Sequence, residues 1–161
     1  MDLSAIKKVY ISGIGGIGVS ALARFLLAKN IAVVGSDALR SEITDKLNSL
    51  GINIFYHQEA QNVPHDADLF IYSAAVPETN PERVRARELK ILQKSYFEML
   101  GEITRDYKLV AVSGTNGKST TTAMIAKIMV DAGLDPTVIV GSQFGELDVN
   151  FRLGNSPYFV L

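Results

Sequence analysis

The chain has 161 residues with a formal net charge of -1, 47% hydrophobic residues and 20% charged residues, a balance typical of a globular protein that can bury a core. The absence of cysteine excludes disulfides and thiolate metal sites, and the near-neutral charge predicts no nucleic-acid partner. No apolar stretch approaches the roughly 18 residues of a spanning helix, so the sequence predicts no membrane partner and is compatible with a cytoplasmic location.

Short apolar runs alternate with helical patterns along the chain. The apolar runs predict strands at 9–12, 31–34, 52–56, 69–72 and 91–92. Helical patterns between them begin near 19, 41, 81 and 96, with Ser41 as a predicted N-cap and Pro81 in a first turn. Such alternation, with nearly continuous apolar strands, predicts parallel sheets covered by helices.

A polar stretch at 104–108 is the best candidate for a linker, because the alternation restarts after it. A strand is predicted at 109–112, a helix at 118–132, a strand at 137–140 and a last strand at 158–161. That last strand has no turn or helix after it, so we expect the sequence to be a portion of a longer protein.

The first glycine-rich turn follows the first predicted strand and reads Gly13-Ile14-Gly15-Gly16-Ile17-Gly18. This spacing matches the dinucleotide fingerprint, in which a helix N-terminus and close backbone approach accommodate a diphosphate. Asp37, about 20 residues further at a strand end, and Ser73, at another strand end, are candidates for ribose or base contacts. The turn itself leaves NAD, FAD and a UDP-sugar open. The candidate phosphate contacts are Gly13, Gly15, Gly16, Ile17 and Gly18.

The second glycine-rich turn reads Gly114-Thr115-Asn116-Gly117-Lys118-Ser119-Thr120 and carries the end of a Walker A loop. Val112 stands where the full pattern has its first glycine. The backbone amides of this turn are predicted to hold the phosphates of ATP, with Lys118 neutralising charge and the Ser119 hydroxyl binding Mg²⁺. The fold class that follows is α/β, with a Rossmann-like parallel-sheet domain at 1–104 and the truncated start of a P-loop ATPase α/β domain at 105–161.

The remaining polar residues carry weaker signals. His57 and His65 have no neighbouring pattern of metal ligands or nucleophiles, and we predict ordinary loop histidines. The run Arg83-x-Arg85-x-Arg87, flanked by Glu82 and Glu88, predicts a solvated helix face rather than a phosphate site.

The segment 114–122 resembles the ATP loop of the Mur ligases, which also occurs in folylpolyglutamate synthases. The segments 14–23, 35–37, 73–76 and 80–82 look like the first domain of those Mur ligases that act on UDP-N-acetylmuramate, and 150–154 is similar to a segment after their ATP loop. The resemblance implies an ATP-dependent amide-bond-forming ligase of peptidoglycan precursor synthesis with three domains. This chain would hold the first domain and part of the second, and we expect it to be inactive alone.

The resemblance also implies the ligands. They are UDP-N-acetylmuramate at the first turn, ATP with Mg²⁺ at the second, and L-alanine or a peptide as the acceptor. Lys118 and Ser119 are then the catalytic candidates. Asn116 and Ser119 stand where the most similar branch usually has histidine and threonine, which leaves the acceptor open.

Two alternatives keep the same fold. One is a nicotinamide-dependent oxidoreductase domain built on the first turn, which leaves Lys118 unexplained. The other is a nucleotide-binding module without catalysis. Because an unfinished second sheet exposes an edge, self-association through that edge is a further expectation.

Overall fold

The computed structural model of the protein describes residues 3–141 and 150–161. Its first sheet has five strands in the order β3-β2-β1-β4-β5, and all of its pairings are parallel. The strands are β1 (Lys8–Ser12), β2 (Ala32–Ser36), β3 (Asn53–Phe55), β4 (Leu69–Tyr72) and β5 (Leu92–Ser95). The chain winds outward from β1 to β3 and then returns to place β4 beside β1. The carboxyl ends of β1 and β4 therefore border a crevice at the point where the strand order reverses.

The helices that cover this sheet begin where local sequence favours a cap. They are α1 (Ile17–Ala28), α2 (Glu42–Ser49), α3 (Pro81–Glu88) and α4 (Tyr96–Thr104), with short 3₁₀ turns at Leu3–Ala5 and Ala60–Asn62. Ser41 caps α2 by accepting from the Thr44 N–H, and Asn80 caps α3, whose first residue is Pro81. The predicted cap at Ser41 and the predicted position of Pro81 are both confirmed.

The second sheet has four strands in the order β6-β9-β7-β8. These strands are β6 (Lys108–Val110), β7 (Thr137–Ile139), β8 (Phe151–Arg152) and β9 (Tyr158–Val160), and α5 (Lys118–Asp131) lies between β6 and β7 in the chain. The pairs β6–β9 and β7–β9 are parallel, whereas β7–β8 is antiparallel. The expectation of purely parallel sheets is therefore wrong at β8, a two-residue strand whose pattern is too short for periodicity to detect.

Helix α1 belongs to the core of both sheets. The Phe25 ring is fully buried, and it packs edge-on against Phe151 at 6.3 Å and against Phe159 at 6.1 Å between ring centroids. One hydrophobic cluster contains these rings together with residues of β1 and β4. The chain passes from α4 to the second sheet between Thr104 and Lys108, and the two sheets share a core through α1. The domain boundary at 104/105 stays a prediction.

Candidate functional site

The first glycine-rich turn is held in place by the end of β2. The N–H groups of Gly13 and Ile14 donate to the Ser36 carbonyl oxygen at 2.8 and 2.9 Å. The Gly15 N–H donates to Oδ2 of Asp37 at 2.8 Å. The Gly16 N–H donates to the Gly13 carbonyl oxygen at 3.4 Å. Four amides of the turn are thus already bonded to neighbouring chain atoms, and the turn has its shape before any ligand arrives.

Three glycines of this turn are required by close approach. A Cβ at Gly15 would lie 2.8 Å from Oδ2 of Asp37. Gly13 has φ +78, and a Cβ there would lie 2.8 Å from the Cβ of Ser73. A Cβ at Gly18 would lie 2.5 Å from the Tyr96 hydroxyl oxygen. Burial raises the pKa of Tyr96 to about 12, so at neutral pH a protonated phenol fills the space beside Gly18. The third glycine of the fingerprint therefore makes room for an α4 side chain.

The amides that remain available lie at the start of α1. Among residues 3–141 and 150–161, the N–H groups of Ile17, Gly18 and Val19 have no hydrogen-bond acceptor, as expected for a first helical turn. No acidic side chain occupies that turn. A helix start of this kind favours an anion.

A cleft of about 400 Å³ opens at the carboxyl edge of the first sheet, between the turns that follow β1, β2, β3 and β4. It brings together predicted residues of three turns, namely Gly13, Gly15, Gly16, Asp37 and Ser73. Ile17 and Gly18 lie outside its lining. The cleft is also lined by Leu39, Ser41 and Gln58, for which the sequence predicted no ligand contact. Only Ser41 had a signal, as a helix cap.

Asp37 has a structural partner on each carboxylate oxygen. Oδ2 accepts from Gly15, and Oδ1 accepts from the Leu39 N–H at 3.1 Å. A carboxylate oxygen accepts more than one hydrogen bond, so a ribose contact stays compatible with this arrangement. Its role in ribose binding, like the base or ribose role of Ser73, stays a prediction.

Below the cleft, Glu82 is the centre of a buried polar network. Its side chain is fully buried, and it accepts hydrogen bonds of 2.6 Å from the hydroxyls of Tyr10, Ser12 and Ser36. Burial and the adjacent Glu82 carboxyl raise the pKa of Tyr10 far above its ordinary value. The predicted solvated face is therefore wrong at Glu82, because the first turn of α3 packs against the ends of β1 and β2.

Arg83 departs from the same expectation. Its side chain is buried, with the guanidinium carbon 3.7 Å from the centre of the Tyr72 ring. Nη1 donates to the Val76 carbonyl oxygen at 3.0 Å and so fixes the turn after β4. Arg85 and Arg87 keep the predicted exposure to a larger extent, and both histidines lie on the surface.

The second glycine-rich turn is open. Gly117 has φ +74 and precedes α5, which begins at Lys118. In the described part of the chain, no backbone or side-chain acceptor bonds the N–H groups of residues 115–120. The Lys118 ammonium is exposed and rests on the carbonyl oxygens of Gly114, at 2.6 Å, and Thr115, at 3.3 Å. A row of free amides with a cation beside it fits a polyphosphate.

The hydroxyls of Ser119 and Thr120 lie in the first turn of α5, where the sequence placed them. Ser119 is half-buried and Thr120 is exposed. Residues 3–141 and 150–161 contain no group of three or more His, Cys, Asp or Glu side chains that could hold a metal ion. The predicted Mg²⁺ contact therefore depends on the Ser119 hydroxyl and the phosphates themselves, and it stays a prediction.

No helix in the described ranges is long and apolar enough to cross a membrane.

Comparison with known proteins gives a consistent family. A family model described as "Mur ligase family, catalytic domain" matches residues 8–108. A UDP-N-acetylmuramate--L-alanine ligase of Clostridium kluyveri is 45% identical over 160 residues, which cover 99% of this chain and 35% of that protein. The corresponding ligase of Alkaliphilus metalliredigens is 42% identical, again over 99% of this chain and 35% of its own length. The chain thus spans about a third of the length of these relatives.

Solved structures agree with the sequence relatives. The UDP-N-acetylmuramate-alanine ligase MurC of Thermotoga maritima superposes with a TM-score of 0.84 at 37% identity, covering 94% of this chain and 36% of that chain. The UDP-N-acetylmuramate:L-alanyl-gamma-D-glutamyl-meso-diaminopimelate ligase of Neisseria meningitides gives a TM-score of 0.86 at 27% identity, over 97% and 52% of the two chains.

Proposed function

The chain belongs to the Mur ligase family, and from this premise we propose that it holds the UDP-sugar site and the ATP loop of a UDP-N-acetylmuramate–L-alanine ligase. The relatives that support this specificity are matched over about 35% of their own length. The complete reaction, its substrates and a cytoplasmic location are therefore part of the proposal. L-Alanine is favoured over a peptide acceptor because identity is 45% to an L-alanine ligase and 27% to a peptide ligase.

The first site is proposed to take the UDP-sugar. Its diphosphate is assigned to the start of α1, where the amides of Ile17 and Gly18 have no acceptor in the described structure. The uridine is assigned to the adjoining cleft, between the turns that carry Asp37 and Ser73. The sugar and its carboxylate would then extend from the carboxyl edge of the sheet, which is where ligands of parallel α/β sheets are bound.

The second site is proposed to take ATP. ATP supplies the phosphoryl group that activates the muramoyl carboxylate towards the amine of the amino acid. The chain contributes positioning and charge: the amides of residues 115–119 hold phosphate oxygens, Lys118 balances their negative charge and Ser119 offers a hydroxyl to Mg²⁺. Lys118 must first leave the carbonyl oxygens of Gly114 and Thr115, which costs little at an exposed position.

The observation that carries the proposal is the presence of two anion-accepting helix starts in one chain. The start of α1 borders the crevice of the parallel sheet. The start of α5 lies after β6, and its first helical residue is Lys118. An oxidoreductase domain has no use for the second, and the relatives described above are ligases.

Isothermal titration calorimetry of the purified chain tests the proposal. We expect separate one-to-one binding of UDP-N-acetylmuramate and of ATP with Mg²⁺, and no binding of NADH. A Lys118→Ala variant should bind ATP with Mg²⁺ about 10- to 100-fold more weakly and keep UDP-N-acetylmuramate binding. Binding of NADH without binding of the UDP-sugar would overturn the ligase proposal in favour of a nicotinamide-dependent domain.

A further inference from the structure

We propose that Gln58 selects the base of the nucleotide, uracil over cytosine, by means of a carboxamide whose orientation is fixed from the protein interior. The proposal rests on the UDP-sugar site proposed above and adds a specificity residue to it. Gln58 follows β3, is half-buried and lines the cleft beside Asp37 and Ser73.

The orientation of the Gln58 amide follows from a backbone group. The Glu82 N–H can only donate, and it donates to Oδ1 of Asn80 at 2.9 Å. Nδ2 of Asn80 is thereby directed to Gln58 and donates to Oε1 at 2.9 Å. Since Oε1 is an acceptor here, the amide nitrogen of Gln58 must occupy the other position.

The nitrogen side is fixed in the same way. Nε2 of Gln58 donates to the Ser12 hydroxyl oxygen at 3.3 Å, and that hydroxyl gives its own proton to Glu82 at 2.6 Å. Ser12 is fully buried and Asn80 is 7% exposed, so water does not compete freely with these bonds. If the amide turned over, Oε1 would face the Ser12 hydroxyl oxygen, whose proton is already donated to Glu82. Nε2 would then face the Nδ2 donor of Asn80.

A fixed amide distinguishes the two pyrimidines. After these bonds, Gln58 has one N–H and one oxygen lone pair left for a ligand. Uracil offers an acceptor at O4 and a donor at N3, whereas cytosine offers a donor at N4 and an acceptor at N3. The two bases therefore require opposite amide orientations. A freely turning glutamine would accept both, and the buried bonds to Asn80 and Ser12 remove that freedom.

Competition calorimetry with UDP and CDP on the purified chain gives the first test. We expect UDP to bind at least about 10-fold more tightly than CDP, the scale of one bidentate base contact. In Gln58→Leu, UDP affinity should fall and the UDP/CDP ratio should approach one. A ratio that is unchanged in this variant would overturn the proposal.

A second variant changes the orientation without removing the glutamine. Asn80→Asp keeps the oxygen that caps α3 and replaces the amide donor by a charged acceptor. A bond from Nε2 of Gln58 to this carboxylate, at the position of the 2.9 Å contact, outweighs the 3.3 Å contact to Ser12 that opposes the change, so the Gln58 amide should turn over. We expect the UDP/CDP ratio to fall by about 10-fold or more, with CDP affinity rising. A merely structural role of Asn80 would weaken both nucleotides equally and contradict the proposal. Asn48→Asp makes the same chemical change on α2 outside the cleft and should leave the ratio unchanged.

The two proposals fail in different ways. If the unmodified chain binds neither UDP nor UDP-N-acetylmuramate, the proposed function itself is wrong. If it binds both and Gln58→Leu keeps the preference for UDP, only the role of Gln58 is wrong. Thermal unfolding of each variant shows whether it is folded, and Gln58→Leu decides the matter should Asn80→Asp not fold.

Discussion

Each of the two glycine-rich turns in this chain precedes a helix, but the turns differ in the hydrogen bonding of their backbone amides. The turn 13–18 has its amides at Gly13, Ile14 and Gly15 bonded to the end of β2 and to Asp37. In the turn 114–119, the described structure offers no acceptor to the amides from Thr115 onward. The first turn also lies over a buried polar network, whereas the second is exposed from Gly114 to Lys118.

The difference shows how each turn meets an anion. The first turn is already fixed by hydrogen bonds within the chain, so ligand binding orders few additional groups, which favours specificity. The second leaves its hydrogen-bonding capacity unused, and a polyphosphate would supply the missing partners. We therefore expect changes around the first turn to act on folding, and changes in the second to act on binding.

The largest effect is expected from Glu82→Ala, which removes the acceptor of three buried hydroxyls. Leaving these groups unpaired should lower the free energy of unfolding by about 3 kcal/mol or more. Urea denaturation measures this loss. Glu88→Ala is the matched control, because Glu88 lies in the same helix and its side chain forms an exposed ion pair with Arg85. This variant should cost less than about 0.5 kcal/mol. Similar losses in both variants would contradict the role assigned to the buried network.

Next in size is Lys118→Ala. Loss of a charged hydrogen-bond donor should weaken ATP–Mg²⁺ binding about 10- to 100-fold while leaving the melting temperature almost unchanged. Calorimetry measures the affinity. Lys127→Ala, further along α5 and paired with Asp131, is the control and should leave ATP affinity intact. A comparable loss in the control would indicate a general effect of helix charge.

A smaller effect is expected from Gly18→Ala, because the new methyl group would collide with Tyr96. Displacing the ring should cost about 1 to 2 kcal/mol of stability. Gly16→Ala is the matched control, since a Cβ there has no neighbour closer than 3.5 Å and only the cap preference changes. Its cost should be about 0.5 kcal/mol. Thermal unfolding of the pair compares the two, and equal costs would show that Tyr96 yields easily.

The smallest perturbation is the exchange of amide hydrogen for deuterium, which leaves the sequence unchanged. Hydrogen exchange should be slow at Gly13, Ile14 and Gly15 and fast at residues 115–119, because bonded amides are protected and free ones are not. Addition of ATP with Mg²⁺ should slow exchange at 115–119 only. Mass spectrometry of peptides from the two turns measures the difference. Equal protection in the ligand-free chain would remove the contrast between them.

Much of the fold followed from the sequence. The cap at Ser41, the position of Pro81 in a first helical turn, the strand at 69–72 and the helix that begins at Lys118 depend on neighbouring residues, and local patterns report such elements well. The same holds for the two glycine-rich turns, because each is determined by a few adjacent residues. The family could be predicted for the same reason, since short segments around these turns carry the resemblance.

Tertiary structure decided the rest. Glu82 and Arg83 read as solvated helix charges and are buried, and Gln58 carried no signal, although it lines the cleft. The joining of both sheets by Phe25 was equally absent from the pattern. In each case the partners are distant along the chain, as Glu82 is from Tyr10 and Ser12. Local periodicity shows which face of a helix is apolar, but hydrogen bonds between distant residues form only when the strand ends and helix starts have been brought together.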